Sequence, residues 1–148
     1  MRILLLLCLI LPAQAADLPP PTPPMILADP VQTLMLDARE AIQNKDWKAA
    51  ETALRAVLQQ QQRHADAYNL LGYALRWQQR LDESLAAYRQ ALAIEPDHSG
   101  AHEYIARSYL ALGRLSEARQ HADRLRQLCR SCAESLALDA AIAGASKP

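Results

Sequence analysis

The sequence predicts an all-α protein built as a short array of helix pairs, and three observations support this prediction. Ala and Leu supply 53 of the 148 residues, whereas Val, Ile and Thr together supply 12. Because β-branched side chains favour strands, their scarcity argues against a sheet. Helical patterning, broken only by short turns, extends from about residue 30 to about residue 143, and pairs of helices recur every 34 residues. The length accommodates one domain or a short repeat array.

The charge balance excludes some classes of partner. The chain has 16 Lys and Arg against 16 Asp and Glu. Surfaces that bind nucleic acid or anionic membranes need an excess of basic residues. We therefore expect no nucleic-acid partner.

Residues 1–15 have the pattern of a secretion signal. Arg2 precedes a nine-residue apolar run over 3–11, and the small-x-small site Ala13-Gln14-Ala15 follows. The alternatives are a membrane anchor, for which nine apolar residues are about half the length needed, and a lipid on Cys8, which lacks a lipoprotein context. We predict a signal peptide over 1–15 that is cleaved after Ala15, a periplasmic or secreted location, and no stable membrane insertion afterwards.

A proline-rich segment over residues 16–29 follows the predicted signal. Five of the six residues at 19–24 are Pro. Because proline lacks the amide proton and fixes φ, this segment cannot form a helix or a central strand. We interpret it as a semi-rigid spacer, and the alternative is a docking site for a proline-binding module.

The predicted helical domain covers residues 30–143. Asp29 is a suitable N-cap, Pro30 suits the first helical position, and Gln32 completes the capping pattern. Short turns separate the helices that follow, and they are predicted near residues 44–46, 62–64, 78–80, 96–98, 113 and 130.

The clearest copy of the repeat spans residues 65–98. Its large residues are Tyr68 and Leu71 at the fourth and seventh positions, and its small residues are Gly72 and Ser84 at the eighth and twentieth. Tyr88, Ala91 and Pro96 follow at positions 24, 27 and 32. This copy resembles the tetratricopeptide repeat (TPR). The resemblance implies a right-handed helical solenoid in which Gly72 and Ser84 let two antiparallel helices approach closely, while Tyr88 fills the space beside them.

Two further copies have the same register, at residues 31–64 and 99–132. Their small positions are Ala38, Ala50, Ala106 and Ala118, and Gly113 lies at the turn of the third copy. A last helix over 133–143 then covers the exposed end of the array, as terminal elements of solenoids do. Residues 144–148 are left as a tail.

Cys129 and Cys132 allow several interpretations. A thioredoxin-like pair needs a strand–helix–strand setting, covalent haem needs a His at residue 133, and zinc needs four ligands. A structural disulfide between the last repeat and its capping helix is the favoured interpretation, and free thiols or a metal remain alternatives. The small exported TPR proteins that the chain resembles often carry a similar cysteine pair after the last repeat, which supports the disulfide.

His98 and His102 are spaced as two ligands on one helix face. A two-His metal site is therefore one interpretation, but His102 occupies a packing position equivalent to Tyr68. A phosphate-binding glycine loop and a catalytic constellation are both missing from the pattern. We expect a protein that is not an enzyme and that holds no cofactor and no metal.

The resemblance also implies where a partner would bind. In TPR arrays, positions 2, 5, 9, 12 and 13 of the first helices line a concave groove. The predicted groove residues are Met35, Arg39, Asn69, Tyr73, Arg76, Trp77, Glu103 and Arg107. Tyr, Trp and Arg dominate binding hot spots, which favours a peptide that carries an acidic or C-terminal carboxylate group.

The alternative is that the groove positions serve packing. In that case Trp77 packs on the neighbouring helix, and the arginines pair with Glu103 and Asp66. Chaperone-tail TPR domains hold a carboxylate with a set of basic and amide side chains. The equivalent positions here are Met35, Arg39, Leu70, Gly100 and Tyr104, so that clamp is absent.

The sequence therefore predicts an exported protein-interaction adaptor with a protein or peptide partner of unknown identity. Two other functions remain alternatives. One is a carrier of a small ligand or metal in envelope cofactor assembly, and the other is a self-associating structural repeat protein.

Overall fold

The computed structural model describes residues 29–145. Residues 1–15, residues 16–28 of the proline-rich segment and residues 146–148 of the predicted tail lie outside this part of the chain. In the described range seven α-helices follow one another: α1 Pro30–Gln43, α2 Trp47–Gln60, α3 Ala65–Trp77, α4 Leu81–Ile94, α5 Ser99–Ala111, α6 Leu115–Cys129 and α7 Ala133–Ala145. The same range contains no strand.

The helices form three pairs that stack into a solenoid, so the predicted all-α fold is confirmed. Each pair packs together (α1 on α2, α3 on α4, α5 on α6), and each of the first two pairs contacts the next through its second helix. The second helices begin at Trp47, Leu81 and Leu115, which are equivalent positions of the predicted repeat. The segments between helices agree with the predicted turns.

The first helix of each copy begins at a side chain that caps it. Asp29 accepts a hydrogen bond from the Val31 amide at 2.9 Å, with Pro30 at the first helical position as predicted. His64 and His98 cap α3 and α5, where each ring nitrogen Nδ1 accepts an amide hydrogen bond at 3.2–3.3 Å. Each cap satisfies an amide that the helix itself leaves unpaired.

The small residue Gly72 allows the closest helix approach in the second copy. A Cβ built on Gly72 would lie 2.5 Å from Cε1 of Tyr88, far inside van der Waals contact. Tyr88 and Ser84 are fully buried, and the corresponding small residues of the other copies are fully buried as well: Ala38, Ala50, Ala106 and Ala118. The predicted packing role of these positions is therefore observed.

Helix α7 covers the end of the array. Leu138 and Ile142 are buried against Ala106, Ala122 and Leu125 of α5 and α6. The helix begins at residue 133 but ends at Ala145, so the first two residues of the predicted tail are helical.

A cysteine pair at disulfide distance lies between α6 and α7. The sulfur atoms of Cys129 and Cys132 are 2.07 Å apart, and their Cα atoms are 5.5 Å apart. Cys129 is the last residue of α6, and the Cys132 carbonyl accepts the first backbone hydrogen bond of α7, from Leu136. The pair is therefore placed to link the end of the third copy to its capping helix.

Left-handed backbone recurs at the turn inside each copy. Lys45, Gln79 and Gly113 have φ angles of 58°, 63° and 70°, and they occupy the same position of their respective copies. Only glycine adopts this region without a steric cost, so the first two copies carry strain that the third copy avoids.

We expect Lys45→Gly to stabilise the chain by about 0.5 kcal/mol and Gly113→Ala to destabilise it by about 1 kcal/mol. Urea unfolding measures both changes. Asn44→Gly is the matched control, since φ at Asn44 is −78° and glycine there adds only chain entropy to the unfolded state. If Lys45→Gly destabilised the chain as much as Asn44→Gly, the strain at this turn would be disproved.

Helices α1 to α7 do not include a membrane-spanning segment. Within residues 29–145, each helix is too short or too polar to cross a bilayer.

Candidate functional site

Four aromatic rings form a continuous surface, here called the aromatic strip: Trp47, Tyr73, Trp77 and Tyr104. The indoles of Trp47 and Trp77 stack at 5.4 Å with their planes 10° apart. Tyr73 meets both indoles edge-on at 6.0 and 6.2 Å, and lies 5.1 Å from Tyr104. The strip therefore joins side chains of all three copies through ring contacts of the kind that stabilise aromatic pairs.

Trp77 is the most exposed residue of the aromatic strip. Its side chain is 48% exposed, although tryptophan is usually well buried. The guanidinium of Arg76 lies 5.8 Å from the centre of the Trp77 ring. A pocket of about 200 Å³ adjoins this pair and is lined by Arg76, Trp77, Gln79, Leu81 and Ala111. An apolar ring and a cation thus border one concave surface.

A hydrogen-bond network holds Trp47 in place. Gln78 donates to the Trp47 carbonyl at 3.2 Å and to a Glu51 carboxylate oxygen at 3.0 Å, and Arg80 donates to the same oxygen at 2.7 Å. Burial raises the pKa of Glu51, but the hydrogen bonds from Arg55, Gln78 and Arg80 outweigh it and lower the pKa overall. The network fixes the first copy against the second copy beneath the stacked indoles.

The predicted groove cations differ in their pairing. Arg107 donates to Glu103 at 2.8 Å, so part of its charge is neutralised. Arg39 is exposed, and neither Arg39 nor Arg76 has an ion-pair partner among residues 29–145. The packing interpretation of the groove is therefore right for Glu103, and it is also right for Trp77, which stacks on Trp47 at the start of the neighbouring helix α2. It is wrong for Asp66, which pairs with His98 at 3.1 Å instead of an arginine.

Three of the predicted groove residues are buried. Met35 is 8% exposed and belongs to the core cluster that includes Leu71 and Leu75, so it is not a groove residue on this surface. Asn69 and Glu103 are 7% and 9% exposed. The side-chain oxygen of Asn69 has no hydrogen-bond partner among the described residues, which leaves a buried acceptor beside the groove. Such an unpaired group is costly unless it is satisfied by a ligand or by water.

Trp47 is the residue of the aromatic strip that the groove positions missed. Those positions count only first helices, and Trp47 opens the second helix of the first copy. The available signal was the tryptophan itself, since it stands where the other two copies have Leu81 and Leu115.

The histidines do not assemble as a pair on α5. His98 caps α5 and contacts Asp66, whereas His102 faces His121 with their Nδ1 atoms 3.0 Å apart. His102 Nε2 lies 3.0 Å from the Pro96 carbonyl. Among residues 29–145, no group of three or more His, Cys, Asp or Glu side chains is arranged to hold a metal ion.

Two family profiles match the chain, and both describe the tetratricopeptide repeat. One matches residues 36–98 and the other residues 75–142. The matched segments overlap in the second copy and together include most of the helical part.

Curated relatives are similar over about half of the chain. Tetratricopeptide repeat protein 37 of Xenopus laevis is 37% identical over 67 residues, which is 45% of this chain and 4% of that protein. Protein O-mannosyl-transferase Tmtc3 of Drosophila melanogaster is 34% identical over 77 residues, which is 52% of this chain and 8% of that protein. The chain thus spans less than a tenth of the length of these relatives.

Solved structures share the fold. The TPR2B domain of yeast Sti1, in its complex with pHsp70, superposes with a TM-score of 0.74 at 19% identity, covering 79% of this chain and 96% of that one. The Yersinia enterocolitica type III secretion chaperone SycD, in complex with a peptide of the translocator YopD, gives 0.70 at 16% identity, covering 82% and 92%. A point mutant of MamA gives 0.61 at 27% identity, covering 68% and 73%.

Proposed function

Because residues 36–142 carry tetratricopeptide repeats, we propose that the chain is a non-catalytic adaptor that binds a segment of a partner protein on the aromatic strip. The observation that carries this proposal is the half-exposed Trp77 with Arg76 beside it. A solvent-exposed indole stacked on a second indole is a rigid anchor surface of the kind found at binding hot spots.

The chemistry of the strip favours a segment that presents an apolar side chain next to a carboxylate. The rings of Tyr73 and Trp77 accept the apolar part, and the guanidinium groups of Arg39 and Arg76, which have no ion-pair partner among residues 29–145, attract the carboxylate. Solved structures of similar fold support binding of a partner segment in general, since SycD was captured with a peptide and the Sti1 domain in a complex with pHsp70. The residues that would do the binding here are different, because the chaperone carboxylate clamp is absent.

We also propose that this adaptor is exported from the cytoplasm. This proposal is supported by the secretion-signal pattern of residues 1–15 and by the placement of Cys129 and Cys132 at disulfide distance, since disulfides are typical of oxidising compartments.

Partner capture tests the proposal. In a pull-down from the native envelope fraction, we expect Tyr73→Ala/Trp77→Ala to reduce recovery of the specific partner at least tenfold, because the double change removes the exposed indole and the ring that meets it edge-on. Leu136→Ala is the matched control, since Leu136 is 59% exposed and lies on α7, away from the strip. If every partner survived the double change, the groove assignment would be wrong.

A further inference from the structure

The exposed part of the aromatic strip offers hydrogen-bond donors. Among residues 29–145, the indole N–H groups of Trp47 and Trp77 and the hydroxyl of Tyr73 make no hydrogen bond, and Arg76 forms no ion pair. The strip therefore combines flat apolar rings with unsatisfied donors. It suits a ligand that supplies apolar rings and carbonyl acceptors but few donors of its own.

Residues 19–24 of the same chain have this chemistry. The segment reads Pro-Pro-Pro-Thr-Pro-Pro, so six backbone carbonyls accompany a single backbone amide proton, that of Thr22. A polyproline helix has no internal hydrogen bonds and leaves its carbonyls free for external donors. Its restricted backbone lowers the entropy cost of binding, which is why aromatic-lined grooves recognise such segments.

The chain between residues 19–24 and α1 is long enough for residues 19–24 to reach the aromatic strip. Helix α1 has 14 residues and is about 21 Å long. Trp47 follows the far end of α1 after a three-residue turn, so the strip lies about one helix length from Asp29. A polyproline helix advances about 3.1 Å per residue. Residues 24 to 19 are five to ten positions before Asp29, and a segment that turned back along α1 would place them about 16 to 31 Å from it.

Charge complements this placement. Asp17 is two residues before the first proline of the segment. With the prolines on the indoles, the Asp17 carboxylate would lie close to the strip, whose Arg76 has no acidic partner among the described residues.

We propose that residues 19–24 occupy the aromatic strip of their own chain as a polyproline helix when no partner is bound, so that a partner segment must displace them. This inference rests on the proposed function, since it assigns an internal competitor to the same surface. A segment tethered this closely competes at an effective concentration in the millimolar range. The tether therefore sets a minimum affinity that a partner needs.

Tryptophan fluorescence tests the inference directly, because Trp47 and Trp77 are the only two tryptophans of the chain. The variant changes all five prolines of residues 19–24 to serine in the otherwise full chain, and Pro148→Ser is the control. We expect acrylamide to quench the variant with a Stern–Volmer slope at least twofold steeper than wild type, and the control to match wild type. A synthetic peptide of residues 16–28 should restore the protection of the variant in a saturable way.

Equal slopes for the wild type and the five-proline variant would overturn the inference. Protection that disappeared on dilution to nanomolar concentration would also overturn it, because the segment would then bind a second copy. Helical circular dichroism confirms that each variant is folded. These measurements contain no partner, so equal slopes combined with loss of partner capture in Tyr73→Ala/Trp77→Ala would disprove the internal competitor and leave the adaptor function intact.

Discussion

Gly72→Ala is expected to destabilise the chain by about 2–3 kcal/mol, although alanine is the better helix former. The new Cβ would lie 2.5–2.9 Å from three ring atoms of Tyr88, whose side chain is fully buried and cannot swing into solvent. Overpacking of this severity costs about 3 kcal/mol or more. The gain in helix propensity, about 1 kcal/mol, offsets only part of that cost. Urea or thermal unfolding gives the difference in free energy.

Gly144→Ala is the matched control for this substitution. It also lies in a helix, but no atom of another described element lies within 4 Å of a Cβ built there, so alanine should be neutral or slightly stabilising. The double variant Gly72→Ala/Tyr88→Leu should be more stable than the sum of its single changes, because the clashing ring is gone. A strictly additive double variant would show that Tyr88 is not the source of the cost.

Acidification from neutral pH to about pH 4 is expected to remove about 2 kcal/mol of stability through His121, a magnitude reduced for solvent screening of a half-buried ring. Burial, together with the charges of His102 and Arg89, lowers the pKa of His121 to about 4. The unfolded chain takes up this proton at the ordinary pKa of histidine, about 6.5. Between the two values the unfolded state holds more protons, so the free energy of unfolding falls as the pH falls and is fully restored above about pH 6.5.

His121→Gln isolates this contribution. Carboxylates that protonate over the same range lower the stability of both proteins equally, so the difference between wild type and variant reports His121 together with its contact to His102. Denaturant unfolding at several pH values measures that difference. We expect the wild type to lose stability relative to the variant as the pH falls, and parallel curves would contradict the assigned pKa.

The fold could be predicted because it depends on periodicity and on small residues. The regular recurrence of helix pairs, the short turns and positions such as Gly72 and Ser84 are visible along the chain, and they determine how neighbouring helices pack. The boundary at residue 143 was less well predicted, because Gly144 and Ala145 continue α7 without a strong stop signal.

The candidate site was only partly predictable from the sequence. The groove positions are counted within the first helix of each copy, whereas the ring contacts of the site join different helices. Tyr73 and Trp77 were predicted, but the stack of Trp77 on Trp47 depends on a side chain at the start of α2, in the preceding copy. Side-chain orientation also explains why the expectations for Met35 and His102 differ from the structure. Met35 turns into the core, and His102 meets His121 instead of His98. A linear pattern gives residue spacing but not these rotamers.

The aromatic strip has a thermodynamic consequence that follows from its position across all three copies. In a linear array each copy is stabilised mainly by its neighbours. Separation of the first copy from the second would part Trp47 from Trp77, and separation of the second from the third would part Tyr73 from Tyr104. The complete surface of four rings therefore exists only while all three copies are docked. A ligand bound to this surface would therefore hold the three copies together. At a free ligand concentration one hundred times its dissociation constant, it would raise the free energy of unfolding by about 2.7 kcal/mol.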